Sequence, residues 1–263
     1  MGMYAQGMKP SHIVSALSVL ATMTCALPAL AQQAGGFGSK GGFVIGAERL
    51  TGVFITSGSS ELDGTIGAPL MAPFTFDSDD SSTTFALLGN GLEAEPAAIP
   101  RLGFDYFIID ALSVGGAITY ASKSENSERQ TATGMFANTE DVETKNTMLT
   151  LSPRAGYALM FSKLFGFWGR GGISYTSATG DTEVTTENGR EDTEFSASLL
   201  TLAADAQLII TPIDHVAIGV GAQLDIPLTG SLEVTDPEPA LTQMDGDLSI
   251  LTFGISAGMM MYF

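Results

Sequence analysis

The chain has 263 residues and is acidic, with 29 Asp and Glu residues against 11 Lys and Arg and a formal net charge of −18. This balance argues against a nucleic-acid partner, which needs a basic face to neutralise phosphates. Beyond the first thirty residues there is no uninterrupted run of eighteen apolar residues, so the sequence predicts no membrane-spanning helix. The length suits one sizeable domain.

Residues 1–31 are predicted to be a secretory signal peptide. Lys9 and His12 precede an apolar stretch at 13–27, and Ala29-Leu30-Ala31 offers a small-x-small cleavage site. The stretch is short for a membrane-spanning helix. We therefore expect cleavage after residue 31.

Cys25 leaves a lipoprotein interpretation open, although the threonines and methionine at 22–24 are a poor context for lipidation. Cleavage after Ala31 would leave a mature chain that starts at Gln32 and has no cysteine. Such a chain offers neither a disulfide framework nor thiol chemistry.

Residues 32–41 are predicted to be a flexible leader. The segment from Gly36 to Gly41 matches the pattern G-x-G-x-x-G of dinucleotide-binding sites. That pattern cradles phosphates only between a strand and a helix, and neither is predicted here. No cofactor is therefore expected from it.

Alternating segments follow, in which every second side chain is apolar. We predict eight strands, near 42–57, 99–109, 112–120, 149–159, 165–175, 200–210, 216–226 and 251–263. Each reaches the roughly 9–11 residues that a tilted strand needs to cross a bilayer. The predicted fold is an all-β, eight-stranded, antiparallel, up-and-down transmembrane barrel that occupies residues 42–263.

The predicted connections alternate between short and long. Tight turns are expected near 110, 162 and 213, and long connections at 58–97, 122–146, 178–194 and 228–247. Thr83–Leu88 is strand-like, and we interpret it as a hairpin arm inside the first long connection, because a ninth span would break the even count. Short periplasmic turns and long external loops are the usual asymmetry of these barrels.

The last predicted strand carries the most specific pattern. From Leu251 to Phe263 the odd positions are apolar throughout, the even positions are mostly small or polar, and the strand ends on an aromatic residue. With the signal peptide and the eight alternating strands, this pattern resembles the small bacterial outer-membrane barrels of the OmpA and OmpW type. The resemblance implies the cell outer membrane, contact with outer-membrane lipid and lipopolysaccharide, and recognition of Phe263 by the barrel assembly machinery.

Charged residues within the strands lie on the face opposite the apolar one. Glu48 and Arg49 are adjacent, so a β-bulge is expected there to turn both inward. The expected interior set has four bases and four acids: Arg49, Arg101, Arg154, Arg170, Glu48, Asp105, Asp205 and Asp225. We expect Asp205 or Asp225 to pair with Arg154.

This balanced interior has two interpretations. It is a structural plug, because an eight-stranded barrel is narrow enough for side chains to fill it. Alternatively it is a polar conduit for small or apolar solutes, like an OmpW or porin channel. Selective pores usually show rings of one sign of charge.

Acidic residues crowd the long connections. They form either a solvated, self-repelling surface or a set of divalent-cation sites, since hard cations bind several carboxylates together. None of the runs has the spacing of an EF-hand, and no residue is assigned as a metal ligand.

Aromatic residues gather at the predicted strand ends and are expected to form two interfacial belts. Those assigned to the short-turn side are Tyr106, Phe107, Phe161, Phe165, Phe167, Trp168 and Phe263.

Few residues are suited to catalysis. The mature chain has one histidine, His215, beside a short turn, where a turn role is expected rather than that of a base or ligand. Three functions remain: a non-enzymatic surface barrel, a transport conduit and an outer-membrane enzyme. We expect no enzymatic activity. A soluble, lipocalin-like barrel is the structural alternative, which the continuous outward apolar faces disfavour.

Overall fold

A computed structural model describes residues 36–65, 74–87, 99–133, 136–186, 189–236 and 242–263. The predicted signal peptide and its cleavage site lie outside these ranges. Within them no helix is long and apolar enough to cross a membrane. The described strands are β1 (Phe43–Thr65), β2 (Phe74–Leu87), β3 (Arg101–Ile109), β4 (Leu112–Thr133), β5 (Phe136–Met160), β6 (Phe165–Thr186), β7 (Gly189–Ile213), β8 (Val216–Asp236) and β9 (Thr242–Tyr262).

The strands close into a ring. Strands β3 to β9 pair with their neighbours in chain order, and β1 lies between β3 and β9. The lower part of β1, up to Glu48, pairs with β3, whereas the part from Thr51 upward pairs with β2 on the same edge. Strand β2 thus shares one ring position with β3, as predicted for a hairpin arm. The antiparallel barrel with eight ring positions is confirmed.

Burial alternates along the strands as the sequence predicts. In β3, Arg101, Gly103, Asp105 and Phe107 are buried, while the residues between them are exposed. The exposed set is apolar and includes Phe104, which is 51 % exposed. A continuous outward apolar face around a polar interior is the architecture of a transmembrane β-barrel, since lipid replaces water outside.

The three predicted short turns are present. They lie at Asp110–Ala111, between β5 and β6, and at Asp214–His215. Ala111 and His215 have φ of 69° and 70°. This left-handed conformation is uncommon for residues other than glycine, and it reverses the chain within two residues.

The long connections differ from the prediction. Strand β4 continues to Thr133 and β5 starts at Phe136, so most of the predicted loop at 122–146 is a paired hairpin. The same holds for the predicted loops at 178–194 and 228–247. These segments are rich in threonine, which favours strands, and threonines pair across them, as Thr182 and Thr193 do on β6 and β7. The outward apolar face ends where these segments begin, but the backbone hydrogen bonds between neighbouring strands continue through them.

In these hairpin extensions the polarity of the wall is reversed. The outward face carries exposed acids, such as Glu61 and Asp247, which are directly opposite each other on β1 and β9. The inward face carries Leu232 and Val234, which are half-buried, while Ser231 and Glu233 beside them are exposed. Beyond the lipid-facing zone, the strands therefore continue with acidic residues toward water and apolar residues on the inner side.

The described end of the predicted leader contacts the barrel. Residues 36–42, at the end of the segment expected to be flexible, form two turns across the short-turn end of the barrel. Gly38 and Gly41 supply the left-handed φ values, 87° and 83°, that these turns require. Phe37 is consequently buried and only 5 % exposed.

Candidate functional site in the barrel interior

The interior is organised in layers, and the middle one contains the charged side chains. All eight of the residues assigned to the interior from the sequence point inward. Glu48 and Asp105 are 3 % and 1 % exposed, and Arg170 is 4 % exposed. We call this set the charge layer: Glu48, Arg49, Arg101, Asp105, Arg154, Arg170, Asp205 and Asp225.

A register break in β1 turns two neighbouring charges inward. The β1–β9 pairing passes from Ala47–Met259 to Thr51–Ala257, so β1 advances four residues while β9 advances two. Arg49 adopts φ of 57° within this break. Glu48 and Arg49 are both buried, which simple alternation would not allow for adjacent residues. The bulge predicted at this pair is observed.

Glu48 is the centre of the charge layer, because three arginines contact its carboxylate. Arg101 Nε lies 2.6 Å from Oε2, and Arg170 Nη1 lies 2.5 Å from Oε1. Arg154 donates two hydrogen bonds, at 2.8 and 2.7 Å, in a bidentate pair. Such bidentate pairs fix orientation as well as charge.

The other three carboxylates extend the network. Asp105 accepts from Arg154 at 2.5 Å, and Asp205 accepts from Arg101 at 2.7 Å. Asp205 also lies 3.3 Å from Arg170 Nη2. Asp225 pairs with Arg49 at 3.0 Å. Every charge in the layer thus contacts at least one of opposite sign, as buried ions require.

The partners of Arg154 were predicted wrongly. Its ion pairs are to Glu48 and Asp105, and neither Asp205 nor Asp225 is among them. An inward glycine leaves the space for this arrangement: a Cβ on Gly103 would lie 2.6 Å from Glu48 Oε1 and 2.7 Å from Arg154 Nη2.

An apolar layer lies below the charges, at the short-turn end. We call it the aromatic floor: Phe37, Val44, Phe107, Ala158, Trp168, Ile209, Ala217, Met260 and Tyr262. Trp168 is fully buried, and its ring lies 4.3 Å from the guanidinium carbon of Arg170. This cation–π contact joins the floor to the charge layer.

Two members of the floor correct the predicted aromatic belt. Phe107 and Trp168 were assigned to the membrane interface, but they are 1 % and 0 % exposed inside the barrel. Their positions in β3 and β6 have the same parity as the inward charges Asp105 and Arg170. Strand parity therefore outweighs the tendency of aromatic residues at strand ends to face lipid.

Hydroxyl groups line the interior above the charge layer. Ser152 and Ser174 Oγ are 2.7 Å apart, and Thr56 and Thr252 Oγ1 are 3.4 Å apart. Phe54 is the large apolar side chain of this region and is fully buried.

The groups that catalysis or metal binding would use are dispersed. His215 lies at the β7–β8 turn, where its Nδ1 is 2.9 Å from the carbonyl oxygen of Tyr262. Its ring stacks on Phe263 at 5.8 Å. Across the described ranges, no three His, Cys, Asp or Glu residues are grouped to hold a metal ion.

Comparisons with known proteins give weak likenesses of fold. No protein-family profile and no curated protein sequence matches the chain significantly. Among solved structures, the outer membrane protein OprG from Pseudomonas aeruginosa is 14% identical, with 86% of this chain and 97% of OprG covered and a TM-score of 0.43. Ail of Yersinia pestis is 13% identical, with 84% and 99% covered and a TM-score of 0.27. The outer membrane protease OmpT from Escherichia coli is 7% identical, with 88% and 99% covered and a TM-score of 0.40.

These values transfer no function to the chain. The architecture stands on its own strand register, ring closure and burial. The fold is that of a small outer-membrane β-barrel.

Proposed function

We propose that the protein is a non-enzymatic barrel of the bacterial outer membrane, with a lumen closed by the charge layer and a working surface on its hairpin extensions. The observation that carries the proposal is the contact of Glu48 with three arginines, from β3, β5 and β6. These ion pairs tie together separate parts of the wall across the lumen.

The energetics favour a closed lumen. Removing one partner of a buried ion pair typically costs about 3–5 kcal/mol. An open path for ions would require several such contacts to separate together. The layer also contains both signs of charge, whereas selective pores usually present one.

Conductance in planar bilayers tests the closed lumen. We expect no steady single-channel steps from the wild-type barrel. Glu48→Gln, which leaves three arginines without their shared carboxylate, should introduce fluctuating conductance. Glu61→Gln is the matched control, because Glu61 lies on the exposed face of the same strand. Large, reproducible steps from the wild-type protein would overturn the proposal.

The outer surface suggests the partners. The apolar belt is suited to outer-membrane lipid, and the acidic extensions above it to the headgroup region, where lipopolysaccharide lies. Outward carboxylates, such as those of Glu61 and Asp247, which are opposite each other on β1 and β9, are the groups to which divalent cations would bind. We further propose that the assembly machinery recognises Phe263 at the end of the chain.

A second candidate function is a conduit for small or apolar solutes. It is favoured by the apolar side chains that face inward above the charge layer, including Met148, Leu199 and the fully buried Phe54. Such a lining would receive apolar molecules from the outer side. Liposome uptake of an apolar fluorophore separates the two functions: the closed barrel gives the rate of empty liposomes, and the conduit a faster one.

A further inference from the structure

The aromatic floor contains one residue that does not belong to a strand. Phe37 precedes β1 and enters the barrel from the short-turn end, where three aromatic rings surround it. Its ring centroid lies 5.8 Å from Phe107, 5.3 Å from Trp168 and 5.5 Å from Tyr262. The interplanar angles are 71°, 80° and 80°, so each contact is edge-to-face, which is a favourable geometry for aromatic pairs.

The segment that carries Phe37 is attached along one side. Gly41 N donates to Phe107 O, and Ala111 N donates to Gly38 O, both at 2.8 Å. Lys40 N donates to Asp110 Oδ1, also at 2.8 Å. These bonds all join residues 38–41 to the end of β3 and its turn.

The other side of the segment borders an open cleft. The cleft has a volume of about 490 Å³ and is lined by Gly36, Phe37, Met160, Lys163, His215 and Tyr262, among others. Phe37 is thus held by the ring contacts and by one edge of hydrogen bonds, with space beside it into which the segment can move.

We propose that the short-turn end of the barrel holds a binding site for a single aromatic ring, that its occupant is the chain's own Phe37, and that residues 36–42 act as a displaceable stopper of the lumen. The site is made by Phe107, Trp168 and Tyr262, and it suits a flat apolar molecule about the size of a benzene ring. The stopper is a second seal below the charge layer. Its presence does not depend on whether the charge layer conducts ions.

The chain supplies its own reporter, because Trp168 is its one tryptophan. In the mature wild-type protein folded in detergent, Trp168 emission should be blue-shifted and poorly quenched by acrylamide. Phe37→Ala should shift the emission to the red and raise quenching at least twofold. Added toluene should bind the vacated site with saturation and restore the wild-type quenching. Phe161→Ala is the control, since Phe161 is 71 % exposed at the same end of the barrel.

A second pair of variants tests the stopper without removing the ring. Gly38→Ala strains a residue with φ of 87°, although a Cβ there would meet only ordinary contacts, the nearest at 3.5 Å from Ala158 Cβ. It should raise acrylamide quenching of Trp168 to between the wild-type and Phe37→Ala values. Gly36→Ala has open space and no such φ, and should behave as the wild type.

Heat-dependent migration in gels shows which variants have folded. The proposal is overturned if folded Phe37→Ala keeps the wild-type emission and quenching, or if toluene protects Phe37→Ala and the wild type equally. It also fails if Gly38→Ala and Gly36→Ala cannot be distinguished by quenching.

Discussion

Glu48 is the residue on which the interior depends most. Its two carboxylate oxygens are shared by three guanidinium groups, so its charge holds together side chains from three other strands. Asp225, by contrast, contacts Arg49 at the margin of the layer and is 15% exposed along its side chain.

Neutralising Glu48 should therefore destabilise the barrel far more than neutralising Asp225. We expect Glu48→Gln to lower the free energy of unfolding by about 3–5 kcal/mol, because it leaves buried arginines without a counter-charge. Asp225→Asn should cost roughly 1–3 kcal/mol, the range for a lost buried hydrogen-bond partner. Urea unfolding in detergent or lipid measures both. Equal losses from the two variants would mean that Glu48 is not the centre of the layer.

For single residues, the sequence predicts whether a side chain points inward better than it predicts which residue that side chain contacts. Alternation places Arg154 and Asp105 inward, because parity is a local property of each strand. It does not identify Glu48 as the partner of Arg154, since that contact depends on strand tilt and on space left by Gly103. Phe37 was missed because no periodic pattern includes it. The inward parity of Phe107, Trp168 and Tyr262 was the available signal that an aromatic pocket needed an occupant.

The hairpin extensions are the elements that were predicted least well from the sequence. Strands were predicted to end where their apolar face ends, although the ladder between β6 and β7 continues to Thr186 and Gly189. Apolar alternation locates the lipid, and it gives no information on strands that face water on their outer side. The membrane-spanning parts were predicted correctly because their outward side chains are apolar.

Two positions on β7 test where the lipid-facing zone ends. Ala204 and Ser196 are both exposed on the outward face, the first within the apolar belt and the second in the extension. We expect Ala204→Arg to cost about 2–4 kcal/mol and Ser196→Arg about 0–1 kcal/mol, because the cost of an outward arginine depends on its depth in the bilayer. Unfolding in liposomes gives both values. A cost for Ser196→Arg as large as that for Ala204→Arg would place the extension inside the membrane.

The whole molecule depends on the seam where the first and last strands meet. Phe43 and Phe263 exchange two backbone hydrogen bonds of 3.0 Å, and their rings stack at 4.9 Å. Strand β1 then follows β9 as far as the pair Thr65–Gln243. The seam leaves no open edge at this position in the ring.

Deleting Phe263 should reduce assembly in cells more than it reduces the stability of barrels that have formed. The deletion removes one terminal bonded pair out of a long seam, while it also removes the aromatic end expected to be recognised during assembly. Outer-membrane yield and heat-dependent gel migration are compared with those of Phe161→Ala, which removes an exposed aromatic ring at the same end. A normal yield of the deletion variant would show that Phe263 is not such a signal.

The position of Glu48 beside this seam has a consequence for the order of folding. Arg101, Arg154 and Arg170 belong to strands that pair among β3–β7, whereas the carboxylate they share arrives with β1. Before β1 and β9 join, the contacts of Glu48 with Arg154 and Arg170, which cross the lumen, would not yet be made, so these buried charges would lack their partners. Lipid tolerates such charges poorly, so half-closed intermediates should be short-lived in the bilayer. Closure of the seam and completion of the ion pairs across the lumen then form one cooperative step, and the three arginine contacts of Glu48 make it difficult to reverse.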